Sequence, residues 1–302
     1  MTTIKAFIKR HLVLTYFALT FAISMGGILI AVGREGMPID RYSLIPILSL
    51  FAGPSAAGLL LTGIFDGKKG LCDFGSRLFR WRVSARWYAV AILITPLVVT
   101  PILLALSLFS PDFLPAIITT DDKVALLLLG IVAGLIGGFL EELGWTGFAV
   151  PRLRLRDNVL TTGLIVGLLW GTWHVPITFA ASVSPSGAVS LSLFLPPLFF
   201  YVAVLPVFRV LMVWVYDRTE SLLVAILMHW SLAASTFTIL LPPAIGGAPH
   251  YLLPRTGRRA VGRCCCGRHG QPRAALATTA PGAGGLRGTT LFSLLADSPN
   301  SR

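Results

Sequence analysis

Charge is what this chain has least of. Of its 302 residues 13% are charged and 55% hydrophobic. Between Lys123 and Arg152, twenty-eight consecutive residues hold two charges, the adjacent Glu141 and Glu142. Such a composition excludes an ordinary soluble domain. Cysteine is scarce as well: besides Cys72 there is the run Cys264, Cys265 and Cys266, whose spacing suits neither a disulfide framework nor a metal site. The H-E-x-x-H pattern of helix-borne zinc is missing. The apolar runs do not alternate with polar residues, which argues against a membrane β-barrel.

What the chain has instead is long uncharged stretches, at 12–33, 42–65, 87–111, 124–151, 158–208 and 221–254. A spanning helix takes about 20 apolar residues, so the fifth stretch holds two crossings and the total is seven. The expected fold is all-α, a polytopic transmembrane helix bundle. The first stretch follows Lys5, Lys9 and Arg10 and offers no small-residue cleavage site, so it reads as an uncleaved signal anchor.

Basic residues set the expected orientation. Segment 66–86 carries six, the turn 152–156 carries Arg152, Arg154 and Arg156, and the connection 209–220 carries Arg209 and Arg218. All fall on the cytoplasmic side if the N-terminus is cytoplasmic. The loop 110–122 holds only Asp112, Asp121 and Asp122 and belongs on the other side. The mixture of Lys68, Lys69, Arg77, Arg80, Arg82 and Arg86 with Leu78, Phe79, Trp81 and Trp87 predicts an interfacial helix against the lipid bilayer. The net charge of +12 is accounted for by these loops and by the tail, so no nucleic-acid partner is inferred.

The composition turns abruptly to Arg, Gly, Ala and Pro from about Pro254. The sequence divides into a transmembrane helical domain, 1–250, and a tail, 251–302, read as disordered and as the product of a shifted reading frame.

Function is sought where charge enters the apolar runs, because an acidic residue at membrane depth carries an insertion penalty of about 2.5 to 3.5 kcal/mol. On a helix, Gly130, Gly134, Gly138 and Glu142 share one row, and Ala133, Gly137, Glu141 and Trp145 the next. Small residues admit a neighbouring helix, so both carboxylates should face the bundle interior. Gly163, Gly167 and Gly171 form a similar row ahead of His174, and Ala225 and Ala233 flank His229. At 1.5 Å per residue, Glu141 and Glu142 lie roughly 15 Å from the Arg152 turn, His174 roughly 21 Å into its helix and His229 roughly 14 Å from Glu220. Three helices thus bring four ionisable groups towards one layer. Such a layer can activate water, with a carboxylate as base and imidazole sharing the proton or stabilising an oxyanion. No metal is required; were zinc present, Glu141, His174 and His229 would be its ligands. Trp145, Trp170 and Trp173 read as aromatic packing, and Asp217 and Glu220 as solvated loop charges. No inverted repeat of the Glu-bearing segment supports a transporter.

These residues resemble the CAAX-protease and bacteriocin-processing (Abi) family of intramembrane proteases. That family has a Glu pair in the form E-E-x-x-x-R, then a His in an aromatic-rich apolar helix, then H-x-x-x-N. The matching stretches are EELGWTGFAVPRL with Glu141 and Glu142, LLWGTWHVPI with His174, and SLLVAILMHWSL with His229. The likeness covers about 85–245 and implies an eight-helix bundle, of which this chain has room for seven. It also implies a catalytic set of Glu141, Glu142, His174 and His229 acting on a peptide or protein substrate. Glu141, with His174, would activate water, Glu142 would share protons, and His229 would stabilise the oxyanion. Thr146 stands where the pattern has Arg, and Ala233 where it has Asn, removing a cation and a hydrogen-bond donor. Those two replacements favour the alternative of a non-catalytic membrane peptide-binding or bacteriocin-immunity protein.

Overall fold

In lipid every backbone N–H and C=O must be satisfied within the segment, and the uncharged runs accordingly fold as helices. The computed structural model describes residues 3–33, 44–184 and 187–245. The tail 251–302, expected to be disordered, lies outside the described residues.

The helices are α1 (Thr3–Arg10), α2 (Leu12–Gly33), α3 (Leu44–Phe65), α4 (Gly67–Leu78), α5 (Ala85–Ser107), the single turn α6 (Ala116–Thr119), α7 (Lys123–Gly144), α8 (Val150–Leu153), α9 (Val159–Ala181), α10 (Leu191–Phe199), α11 (Leu205–Thr219) and α12 (Leu222–Ala234). π-helical turns at Trp145–Ala149 and Phe200–Val204 join α7 to α8 and α10 to α11, and a third, Ser235–Ile239, extends α12. Among the described residues seven helical segments are long and apolar enough to cross a membrane. The chain is an all-α, multi-pass bundle. The side chains of Asp122, Asn158 and Ser221 cap the starts of α7, α9 and α12 by accepting from Ala125, Thr161 and Val224 N–H, which fixes the three site-bearing helices at their first turns.

The glycine rows are where helices meet. A Cβ at Gly138 would lie 3.0 Å from the Ile226 carbonyl oxygen of α12, and one at Gly134 would lie 3.1 Å from that of Trp230. On α9 a Cβ at Gly163 would come within 2.4 Å of Val210 Cα, and at Gly171 within 2.0 Å of the Tyr201 carbonyl oxygen. So α7 seats α12, and α9 seats α11, at backbone contact. Tyr16, Phe17, Trp145, Phe148, Trp170 and Trp173 fill the interior between these pairs, while Leu97, Ile102, Leu128, Val132 and Phe199 face outward.

The three basic segments gather at one end. Arg152 pairs with Asp66 beside α4, Arg154 with Asp217 at 2.6 Å and Arg80 with Glu220 at 2.7 Å. Asp217 and Glu220 are therefore ion-pair partners rather than free loop charges. The Asp217 hydrogen bond raises the pKa of Arg154 above the ordinary guanidinium value. The interfacial helix expected over 66–86 is shorter than that: α4 holds Lys68, Lys69, Arg77 and Leu78, the chain leaves the helix at Phe79 through Arg82, and Arg86 and Trp87 belong to α5. One expectation fails: Arg209 is not in a connecting loop but inside α11, with no exposed surface.

Candidate active site

Glu141 and Glu142 close α7 one turn before the π-helical turn Trp145–Ala149. Successive helical residues are about 100° apart, so the pair diverges, and each carboxylate meets a different set of partners.

Glu142 is fully buried and held by charge. Arg209 NH1 donates to its Oε2 at 2.8 Å and NH2 to its Oε1 at 2.9 Å, a two-pronged pairing that matches guanidinium to carboxylate. Thr146, one turn on, donates its hydroxyl to the same Oε2 and receives Arg209 NH1 at 3.3 Å. His229 Nδ1 lies 2.7 Å from Glu142 Oε1. Surrounded by donors, Glu142 is a carboxylate and can only accept, so Nδ1 of His229 carries a proton and Nε2 is left for chemistry. The Glu142–His229 bond is the direct link between α7 and α12 within the site, and Gly138 makes it reachable by letting the two backbones approach.

Glu141 is held by indoles instead. Trp145 Nε1 donates to its Oε2 at 3.2 Å, and Trp170 Nε1 donates to the same oxygen. Its other oxygen, Oε1, stands 3.7 Å from His229 Nε2, too far for a direct hydrogen bond. Oε1 is the carboxylate atom left free, and it faces an imidazole nitrogen that is also free.

His174 is the most exposed of the four. It is half-buried, unlike the other three predicted residues. Its Nδ1 lies 2.9 Å from the Trp170 carbonyl; a carbonyl only accepts, so Nδ1 bears the proton and Nε2 the lone pair. The ring stacks on Tyr201 at 4.8 Å and 14° and meets Trp173 edge-on at 4.8 Å. The structure therefore brings Glu141, Glu142 and His229 into direct proximity, and joins His174 to them through Trp170 rather than by contact with either carboxylate.

Trp170 is the hub. Its indole donates to Glu141, its carbonyl holds His174, its ring lies 5.0 Å from His229, and Arg209 sits over it at 4.0 Å. Trp145 and Trp170 were expected only to pack; both also bind a carboxylate. Arg209 and Tyr201 were missed. A single Arg bounded by apolar residues, in LPVFRVLMVWVYD, is a signal that could have found the first, since Arg209 lies about 12 Å from Asp217 along the helix. Nothing marked Tyr201 apart from other aromatics. At the position of the absent Asn, Ala233 has no donor, and the hydroxyl of nearby Ser231 is spent on the Ile92 carbonyl at 2.6 Å.

Among the described residues no three His, Cys, Asp or Glu side chains form a group able to hold a metal ion; His229 Nδ1 is committed to Glu142, and Glu142 to Arg209.

A multi-pass bundle whose interior holds ionisable residues with free carboxylate and imidazole atoms has the makings of a membrane-embedded acid–base site. Comparison with known proteins names the class. Residues 123–235, which carry all four predicted residues, match the family described as Type II CAAX prenyl endopeptidase, Rce1-like. Over 225 residues the chain is 26% identical to CAAX prenyl protease 2 of Methanococcus maripaludis, covering 71% of this chain and 80% of that protein. Over that stretch the chain is similar to the Rce1-like CAAX endopeptidases, and the likeness supports an intramembrane protease in kind.

Proposed function

We propose that the chain is an intramembrane endopeptidase of the CAAX-protease type that hydrolyses a peptide bond with water activated at Glu141. The observation that carries this reading is the pair of free atoms, Glu141 Oε1 and His229 Nε2, facing each other 3.7 Å apart, with Glu141 Oε2 held by two indole donors and His229 Nδ1 donating to Glu142. A water between them would give its proton to Oε1 as its oxygen attacks the peptide carbonyl. His174 Nε2 assists by taking up the proton and delivering it to the departing amine. His229, an imidazolium beside the Glu142 carboxylate, donates from Nε2 to the tetrahedral oxyanion and keeps both ring protons when the intermediate collapses. Glu142 is thus an anchor, not a proton-sharing partner. The basic loops at one end of the bundle are cytoplasmic with the N-terminus, and the protein resides in the cell membrane.

The substrate class that fits the relatives' name is a peptide with a prenylated C-terminus. Purified protein in vesicles, given a farnesylated C-A-A-X peptide, is expected to release the terminal tripeptide, detected by mass spectrometry. Cleavage equal in wild type and Glu141→Gln overturns the reading. Ala233, which leaves the oxyanion one donor short, favours a second reading of a non-catalytic peptide-binding or immunity protein. Peptide retained by the protein without cleavage would support it.

A further inference from the structure

We propose that Arg209 is the positioning residue of this site: its guanidinium occupies the room left by the short Thr146 side chain, keeps Glu142 a carboxylate, and through Glu142 aims His229 Nε2 at Glu141. The inference rests on the peptidase reading only for its kinetic consequence.

Geometry carries it. Arg209 has no exposed surface, and an unpaired cation at that depth would not persist, so it is present for its partners. Both terminal nitrogens go to Glu142, at 2.8 and 2.9 Å. One of them also reaches the Thr146 hydroxyl at 3.3 Å, and the plane lies against Trp170 at 4.0 Å. Through Trp170 the guanidinium also touches the residue that holds Glu141 Oε2 and His174 Nδ1. One cation therefore backs every group in the set without touching Glu141, His174 or His229 itself. The helix that carries it is locked in place, because a Cβ at Gly167 of α9 would lie 3.0 Å from Arg209 Cβ. Thr146 lies one turn beyond Glu142 on the same face and hydrogen-bonds the same oxygen. A longer cationic side chain rooted there would point at the same carboxylate. Positions 146 and 209 are thus two roots from which one cation can serve Glu142, and this chain uses the second.

The test is a relocation of the cation. Protein labelled with ¹⁵N-histidine, in vesicles, reports the protonation pattern of the His229 ring nitrogens, and the same preparations are assayed on the farnesylated peptide. Arg209→Gln is expected to alter the His229 signals and to lower kcat roughly 10- to 100-fold with KM nearly unchanged. Arg209→Gln combined with Thr146→Arg is expected to restore the wild-type signals, and the activity with them. If Arg209→Gln alone does not fold, recovery of folded protein with wild-type His229 signals in the double variant supports the proposal. Wild-type His229 signals in folded Arg209→Gln, or failure of the double variant to recover them, overturns it. An inactive wild-type protein that still shows the relocation effect on His229 would sink the peptidase reading and leave the role of Arg209 standing.

Discussion

At the scale of single residues, the two adjacent carboxylates are separated in role by what surrounds them. Glu142 receives a guanidinium, a hydroxyl and an imidazole; Glu141 receives two indoles on one oxygen and leaves the other bare. Removing one member of a buried ion pair strands the other, at a cost of about 3–5 kcal/mol. Glu142→Ala is therefore expected to lower the melting temperature strongly, whereas Glu141→Gln, which keeps an acceptor for the indoles, should leave it near wild type. Differential scanning fluorimetry in detergent distinguishes the two. His174 is half-buried and its hydrogen-bond partner is a backbone carbonyl, so His174→Gln is expected to fold and to lose roughly 10²- to 10⁴-fold in kcat, the usual range for a positioned proton-transfer group. A cleavage rate within a factor of two of wild type would remove His174 from the mechanism. Glu141, Glu142, His174 and His229 stand out in the sequence because they are the ionisable groups within long uncharged apolar runs, and the structure places three of them in mutual contact. Arg209 does not, because basic residues near the ends of apolar runs are assigned to loops, and a run boundary drawn at the first charge makes that assignment by construction. The donor role of the tryptophans was hidden for a different reason: an indole is apolar in bulk and polar at one atom, and sequence shows only the bulk.

At the scale of elements, the site depends on how closely helices approach. The approach of α9 to the π-helical turn ahead of α11 matters most to the site, and it is closest at Gly171. A Cβ there would meet the Tyr201 carbonyl oxygen at 2.0 Å, and Tyr201 is backbone that cannot swing aside. Gly171→Ala is expected to destabilise the fold by about 1–3 kcal/mol and to disturb the Tyr201 ring that stacks on His174, lowering kcat along with the melting temperature. An unchanged melting temperature would show that α9 and the Phe200–Val204 turn are not tightly seated. π-helical turns follow Glu142, contain Tyr201 and follow His229. Such turns recur at functional sites because the extra residue re-aims the side chains that follow. Helix existence and the glycine rows were legible from charge and spacing. The π-helical turns were not, since their sequences WTGFA, FYVAV and STFTI are apolar helical stretches like any other, and only tertiary packing selects the wider turn.

For the molecule as a whole, seven apolar crossings were readable, with boundaries shifted by a few residues. The gathering of segment 66–86, the 152–156 turn and the end of α11 at one end was implied by their shared positive charge. The ion pairs that tie them together are partly exposed, and such pairs contribute at most about 1 kcal/mol, so Arg154→Ala is expected to leave folding almost unchanged. Orientation has a direct probe in Cys72, exposed on α4. In intact cells expressing a chain with Cys264, Cys265 and Cys266 replaced by Ser, a membrane-impermeant maleimide should label Cys72 only after lysis; labelling of unbroken cells would invert the topology.

The most direct measurement is single-turnover cleavage of the farnesylated peptide in vesicles by wild type and Glu141→Gln at matched, verified folding. Water activation by the free Oε1 predicts a tripeptide product from wild type and a loss of at least about 10²-fold in the variant. Equal rates from both would contradict it.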